Sequence, residues 1–290
     1  MMIKLLLTGA NGQLGHEIIA RCPSTCSIVA LPHEVLDISD SKSCDDAVRV
    51  CKPDWVINAA AYTNVEKAED EPEIAMRINR DGPLNLARAV QRAGARLLHI
   101  SSDFVFDGLQ HRPYLPEDAT NPLSVYGKSK LAGEKAVLSV LGNDALIMRT
   151  SWLYSAAGKN FLNTTLGLLR DQPFLQIVSD QTGSPTSTVS LTKAVFSAIA
   201  ADARGIFHWS DDGTATWYDF ACEIQKQALA LQLVNEKKEI RPVSSSELKC
   251  KAVRPPWSVL DKASFIAATG LMPQAWQTML EKTLIERKAA

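Results

Sequence analysis

The junction between the apolar run Ile3–Thr8 and the segment Gly9-Ala10-Asn11-Gly12-Gln13-Leu14-Gly15 admits few folds. It reads as a buried strand, a tight turn and a helix opening over Gly15–Cys22. With glycines three apart, the first permits the turn and the second lets backbone approach a pyrophosphate. The third lets the helix pack on the strand. The helix N-terminus then offers free N–H groups to phosphates. Three glycines alone are weak evidence, but between a strand and a helix they gain force. The turn predicts dinucleotide contacts at Gly9, Asn11, Gly12, Gln13 and Leu14.

The same alternation continues down the chain. Ser27–Leu31 and Trp55–Ala60 read as strands, with a helix over Ser41–Lys52 between them, stopped by Pro53. A long amphipathic helix follows over Glu73–Ala93, then a strand over Arg96–Ser101, a helix over Tyr126–Leu138 and a strand over Ala145–Trp152. Continuous apolar strands alternating with helices predict an α/β fold, a Rossmann-like doubly wound parallel sheet with helices on both faces. Residues 1–152 form the dinucleotide-binding domain. The helix Thr188–Ala200 and strand Gly205–Trp209 return to its sheet. Residues 153–187 and 210–290 form mainly a smaller C-terminal substrate-binding lobe. It contains a strand at Leu175–Val178, a helix at Thr216–Leu231 with Thr214 or Thr216 near its cap, a loop at Lys251–Ser258 and a terminal helix at Pro273–Lys288.

Composition narrows the class. A net charge of -1 gives no sign of a nucleic-acid surface, and no apolar run approaches a membrane span. Six scattered cysteines without CxxC or Cys/His spacing fit reduced thiols in a cytoplasmic protein and offer no metal site.

The chemistry lies downstream. Tyr126 and Lys130 stand four apart and share a helix face. An ammonium there lowers the phenol's pKa and reaches a nicotinamide ribose, so Tyr126 can act as a general acid. Ser102, ending the preceding strand, can hydrogen-bond the same substrate oxygen. Small residues at Ala59, Ala60 and Ala61, with Thr63 after them, let a cofactor lie against backbone at the end of the strand from Trp55. The second strand carries no acid at its tip to grip an NAD ribose, and no arginine to mark NADP. Glu34, just beyond that tip, is one candidate for gripping the ribose, Asp37 and Ile38 can flank the adenine, and the choice between NADPH and NADH stays open.

These residues resemble the extended short-chain dehydrogenase/reductases, and within them the dTDP-4-dehydrorhamnose reductase family. The TGxxGxxG spacing carries the likeness, with Asn58–Thr63, Ser101–Gly108, Tyr126–Glu134, Arg149–Tyr154, Asn160-Phe161, Asp180–Thr186 and Arg254–Leu260. The resemblance implies reduction of the 4-keto group of a dTDP-sugar by NADPH or NADH, in surface polysaccharide precursor synthesis. In that scheme Tyr126 donates the proton, Lys130 orients the ribose and Ser102, where the family commonly has Thr, polarises the carbonyl. Asp103 touches the sugar, Trp152 walls the deoxysugar ring and Arg254 reaches the diphosphate. Asp180–Thr186 shapes the cleft. Some members form a homodimer through a divalent metal, Mg2+, held by glutamates. Glu17 sits at one matching position and the other two glutamates have no match, so no metal ligands are assigned. Two other readings compete: an epimerase or dehydratase on the same fold, and a reductase-like regulatory subunit. A dehydratase favours an Asp-Glu pair after the hydroxyl, whereas Ser102 is followed by Asp103-Phe104. A regulatory subunit need not keep the glycines, Ser102, Tyr126 and Lys130 together.

Overall fold

The computed structural model describes residues 2–289. Its central sheet contains β1 (Ile3–Thr8), β2 (Cys26–Leu31), β3 (Trp55–Asn58), β4 (Arg96–Ser102), β5 (Leu146–Thr150) and an edge strand, Gly205–Trp209. The order is edge strand, β5, β4, β3, β1, β2, and all neighbours run parallel. Every residue of β3 and β5 is buried, as expected for strands covered on both faces. α1 (Gln13–Ala20) and the helix Thr188–Ala200 cover one face through Leu14, Ile18, Leu191 and Val195. On the other face α2 (Ser41–Cys51), α5 (Gly82–Ala93) and α6 (Val125–Leu141) pack through Val48, Leu86, Val90 and Val137. Winding reverses at β1, whose neighbours are β2 and β3. The crevice beyond the carboxyl ends of β1 and β3 is where such sheets take their ligands.

The stretch expected as one helix over 73–93 is three pieces: α4 (Pro72–Met76), a π turn at Arg77–Asp81, and α5. Gly82-Pro83 explains the break. Proline in a helix interior lacks the N–H and presses on the preceding turn, and a π turn absorbs that misfit. Between β3 and α4 lies a one-turn helix, α3 (Val65–Ala68). α6 starts at Val125, where Ser124 accepts from the Gly127 amide at 3.1 Å, and runs three residues past the expected end. β5 stops at Thr150, two residues before the expected Trp152.

A second core gathers Leu162, Leu166, Phe220, Ile224, Trp276 and Leu280. It unites the helices Phe161–Asp171, Trp217–Ala230 and Trp276–Ala289 with a parallel strand pair, Phe174–Val178 and Glu239–Val243. Thr216 caps the middle helix in a reciprocal box with Asp219. Phe265, from the C-terminal third, packs instead in the core beneath the main sheet, against Trp209. No helix among the described residues is long and apolar enough to cross a membrane.

Candidate active site

The glycine turn is held by contacts no side chain could share. Gly9 has φ +71°, and a Cβ there would lie 2.7 Å from the Ala60 amide nitrogen. A Cβ on Gly15 would lie 2.2 Å from the Gly9 carbonyl oxygen. Backbone from β1 and β3 therefore meets at the crevice. α1 opens at Gly12 with no side-chain cap and no acid in its first turn. Its first N–H groups have no intrahelical acceptor, which leaves a site for a pyrophosphate. Below the turn, Thr8 Oγ1 donates to Asn58 Oδ1 at 2.7 Å, and the Ala60 amide donates to the same oxygen at 3.2 Å. Asn58 Nδ2 lies 3.0 Å from His99 Nδ1. Thr8, Asn58 and His99 are fully buried, so this chain fixes the tips of β1, β3 and β4 against one another.

The predicted cofactor residues divide. Asn11 and Thr63 are exposed, and Ala59, Ala60 and Ala61 are half-buried. Leu14 and Ile38 are spent on the cores, Ile38 closing against Gly82. Asp37 accepts from the Ser39 amide at 2.9 Å, and burial is outweighed by the Ser39 hydrogen bonds, leaving its carboxyl below the usual range. Gln13 accepts from Asn160 Nδ2 at 2.7 Å and Ser155 Oγ at 2.8 Å, tying the turn to the smaller lobe.

At the other side of the crevice stand Ser102, Tyr126 and Lys130. Ser102 ends β4 and pairs in register with Thr150 of β5. Its hydroxyl donates to Asp103 Oδ1 at 2.9 Å and accepts from the Phe104 amide at 3.2 Å. Polarising a substrate carbonyl thus requires that hydroxyl to turn from Asp103. Asp103 is buried, its other carboxylate oxygen is without a hydrogen-bond partner, and burial pushes its carboxyl up to about 6. Lys130 Nζ donates to the Ile100 carbonyl at 2.7 Å, leaving two N–H groups for other acceptors. Burial lowers the ammonium to about 8, and Glu134 opposes that fall. Burial likewise drives the Tyr126 phenol up to about 12, and its contact with Ser102 only partly opposes that rise. The sequence led us to expect a phenol lowered by the ammonium. Here desolvation dominates, and Tyr126 stays in the protonated, donating form.

Trp152 follows two residues after Thr150 and carries φ +48°. A non-glycine residue there costs about 1–3 kcal/mol. Stacking helps offset it, because the Trp152 ring lies parallel to Trp217 at 3.5 Å. Gly183 makes room, since a Cβ would lie 2.6 Å from the Trp152 ring. Trp217 also lines a cleft of about 540 Å³ with Phe161, Gln181, Ser245, Ala252 and Arg254. Asp180 accepts from the Ser245 amide at 2.9 Å and so shapes the cleft wall. Arg254 reaches Glu66 of α3 at 2.6 Å, with side chains 24% and 41% exposed. Such a pair is worth about 0–1 kcal/mol, so a diphosphate can displace it.

Sequence reasoning missed four contributors. Asn79, in the π turn, accepts from the Tyr62 amide at 2.8 Å and donates to Ser129 Oγ at 2.9 Å, joining the Ala59–Thr63 loop to α6. Glu66 was not foreseen as Arg254's partner. Glu134 and Arg149 form a buried ion pair at 2.7 Å. The break at Gly82-Pro83 was a signal for the first; the others depend on long-range partners.

Glu17 lies in an ion-pair network with Arg21 and Glu286. Glu17 is bound by Arg21 and accepts from Thr188 Oγ1 at 3.1 Å, while Arg21 extends to Glu286 at 2.6 Å. One guanidinium bridges the two acids. Among the described residues no three His, Cys, Asp or Glu side chains converge as a metal site.

Comparisons with known proteins identify the family. The family model described as RmlD substrate binding domain matches residues 3–288. A spore coat polysaccharide biosynthesis protein of Bacillus subtilis is 37% identical, covering 100% of this chain and 99% of its own length. A dTDP-4-dehydrorhamnose reductase of Streptomyces griseus is 39% identical, covering 96% and 92%. The crystal structure of the Bacillus anthracis dTDP-4-dehydrorhamnose reductase in complex with NADP is 34% identical, with TM-score 0.92 over 99% of this chain and 100% of that one. On the match to nearly its whole length, the chain belongs to the dTDP-4-dehydrorhamnose reductase family.

Proposed function

We propose that this protein reduces the 4-keto group of dTDP-4-dehydro-L-rhamnose to give dTDP-L-rhamnose, a precursor of surface polysaccharides such as O-antigen. The observation that carries this reading is the convergence of Ser102, Tyr126 and Lys130 at the sheet end that also carries the glycine turn. NADPH or NADH supplies the hydride when bound. The open N-terminus of α1 and the Gly9–Gly15 turn bind its pyrophosphate, and Lys130 holds its ribose. Tyr126 gives its phenolic proton to the carbonyl oxygen as charge develops there. Ser102 turns from Asp103 to donate to the same oxygen. Trp152 and Trp217 flank the deoxysugar, and Arg254 trades Glu66 for the diphosphate. The reading places the enzyme in the cytoplasm, where sugar nucleotides are made. The NADP complex of the Bacillus anthracis relative favours NADPH over NADH.

The test is NADPH and NADH oxidation, followed by absorbance, with dTDP-4-dehydro-L-rhamnose generated in place. Sugar-dependent consumption that yields dTDP-L-rhamnose is the expected result. Cofactor binding without consumption would contradict it and leave a different keto-sugar nucleotide or a regulatory role.

A further inference from the structure

Helix α6 carries a stripe at four-residue spacing: Tyr126, Lys130, Glu134. Residues so spaced face the same way, one turn apart. The third member is the unexplained one. Glu134 and Arg149 are 2% and 3% exposed, in a sheet–helix layer with no access to water. Arg149 Nε donates to Glu134 Oε1 at 2.9 Å and Nη2 to Oε2 at 2.7 Å. Ser101, next to Ser102 on β4, donates to the same carboxylate. Arg149 Nη1 donates to the Pro116 carbonyl at 3.0 Å and lies 3.3 Å from His208 Nε2. Burying such a pair carries a desolvation penalty that a pair of apolar side chains would avoid. The position of the carboxylate, one turn behind the ammonium, supplies a reason for it.

We propose that Glu134, clamped by Arg149 and Ser101, is a positioning residue that acts through Lys130, keeping it charged beside the cofactor ribose. The proposal rests on the reading of Lys130 given above. Around Lys130 the packed elements present few charges. Tyr126 and Glu134 come from α6 itself, and His99 comes from β4, held neutral by burial and by Lys130. Asp103 stands after β4, acting on Tyr126. Arg149 on β5 stands behind Glu134. Glu134 is the negative charge that acts on Lys130, opposing the burial that lowers it.

The experiment is NADPH affinity from fluorescence titration between pH 6 and 10, with turnover measured alongside. Wild-type affinity is present below about pH 8 and declines above it, as Lys130 loses its proton. In Glu134→Gln, which keeps the volume and one acceptor oxygen for Ser101 and Arg149 while removing the charge, the break moves down by about one pH unit or more. NADPH then binds about tenfold more weakly at pH 8. Glu134→Asp withdraws the charge by one methylene and shifts the break in the same direction by less. It also serves if the Gln variant does not fold. A lowered melting temperature with the break unmoved in the variants overturns the proposal and leaves a structural pair. The titration needs no sugar. A wild type that binds NADPH with this pH dependence but never turns over would refute the proposed function and not this inference.

Discussion

The two halves of the site are made of different material. On the cofactor side, backbone does the shaping: Gly9 and Gly15 let β1, β3 and α1 approach to distances that exclude a Cβ. On the side proposed for the sugar, side chains from distant segments do it: Trp152 on Trp217, Arg254 on Glu66, Asp180 on Ser245. A backbone cradle accepts one shape, the pyrophosphate common to all dinucleotides. A cradle of side chains can be re-cut for each sugar while the rest of the sheet stays put.

Substitutions can separate the halves. The largest effect falls between them, on the chemistry. Tyr126→Phe is expected to reduce turnover by roughly 10²–10⁴-fold, with NADPH affinity nearly unchanged. Steady-state rates and a calorimetric titration check both parts, and a variant within a few-fold of wild type removes Tyr126 as the proton donor. Next comes Gly15→Ala, whose Cβ would strike the Gly9 carbonyl. NADPH binding should fall by about 100-fold or the chain should not accumulate as soluble protein, since rigid backbone cannot yield cheaply. In Gly183→Ala the three atoms nearest the new Cβ all belong to the Trp152 ring. It should raise KM for the sugar by about tenfold while NADPH titrates as before, because the side chain it displaces is near the sugar cleft. Equal losses of cofactor and sugar affinity in both glycine variants would erase the distinction.

The smallest effect lies outside the site. Asp211 is buried, accepts from the Ser187 amide at 2.9 Å, and burial pushes its carboxyl up to about 7. An acid raised on folding stabilises fully below its unfolded pKa, and that contribution is lost as pH rises through the folded value. Asp211→Asn, which retains an acceptor for Ser187, should therefore raise the melting temperature by a few degrees at pH 8 and by less at pH 5. Thermal melts at the two pH values decide it; a larger gain at pH 5 reverses the sign of the argument.

The same division explains what could be read from sequence. β1 and its glycine turn were legible because the constraint is local: an apolar run, then residues whose lack of a side chain is itself the signal. The Tyr126–Lys130 pair was legible for a related reason, since helical spacing alone puts both on one face. Strand β3 was read two residues too long, because Ala59 and Ala60 continue the apolar run although the ladder ends at Asn58. The π turn stayed hidden within an unbroken amphipathic pattern, despite Pro83. Arg149 reads as one cation at the end of a strand, and nothing local says that Glu134, fifteen positions earlier, will bury it. Gln13 joins Asn160 across 147 positions. Periodicity reports which face is buried, and says nothing of which polar group will meet which inside.

The most direct test of the central claim is isotopic. NADPH deuterated at the transferable position of its nicotinamide should deliver deuterium to C4 of the sugar. By NMR the product should be dTDP-L-rhamnose labelled at that carbon alone, in proportion to cofactor consumed. Deuterium elsewhere in the sugar, or product formed with no label and no cofactor consumed, would contradict the account.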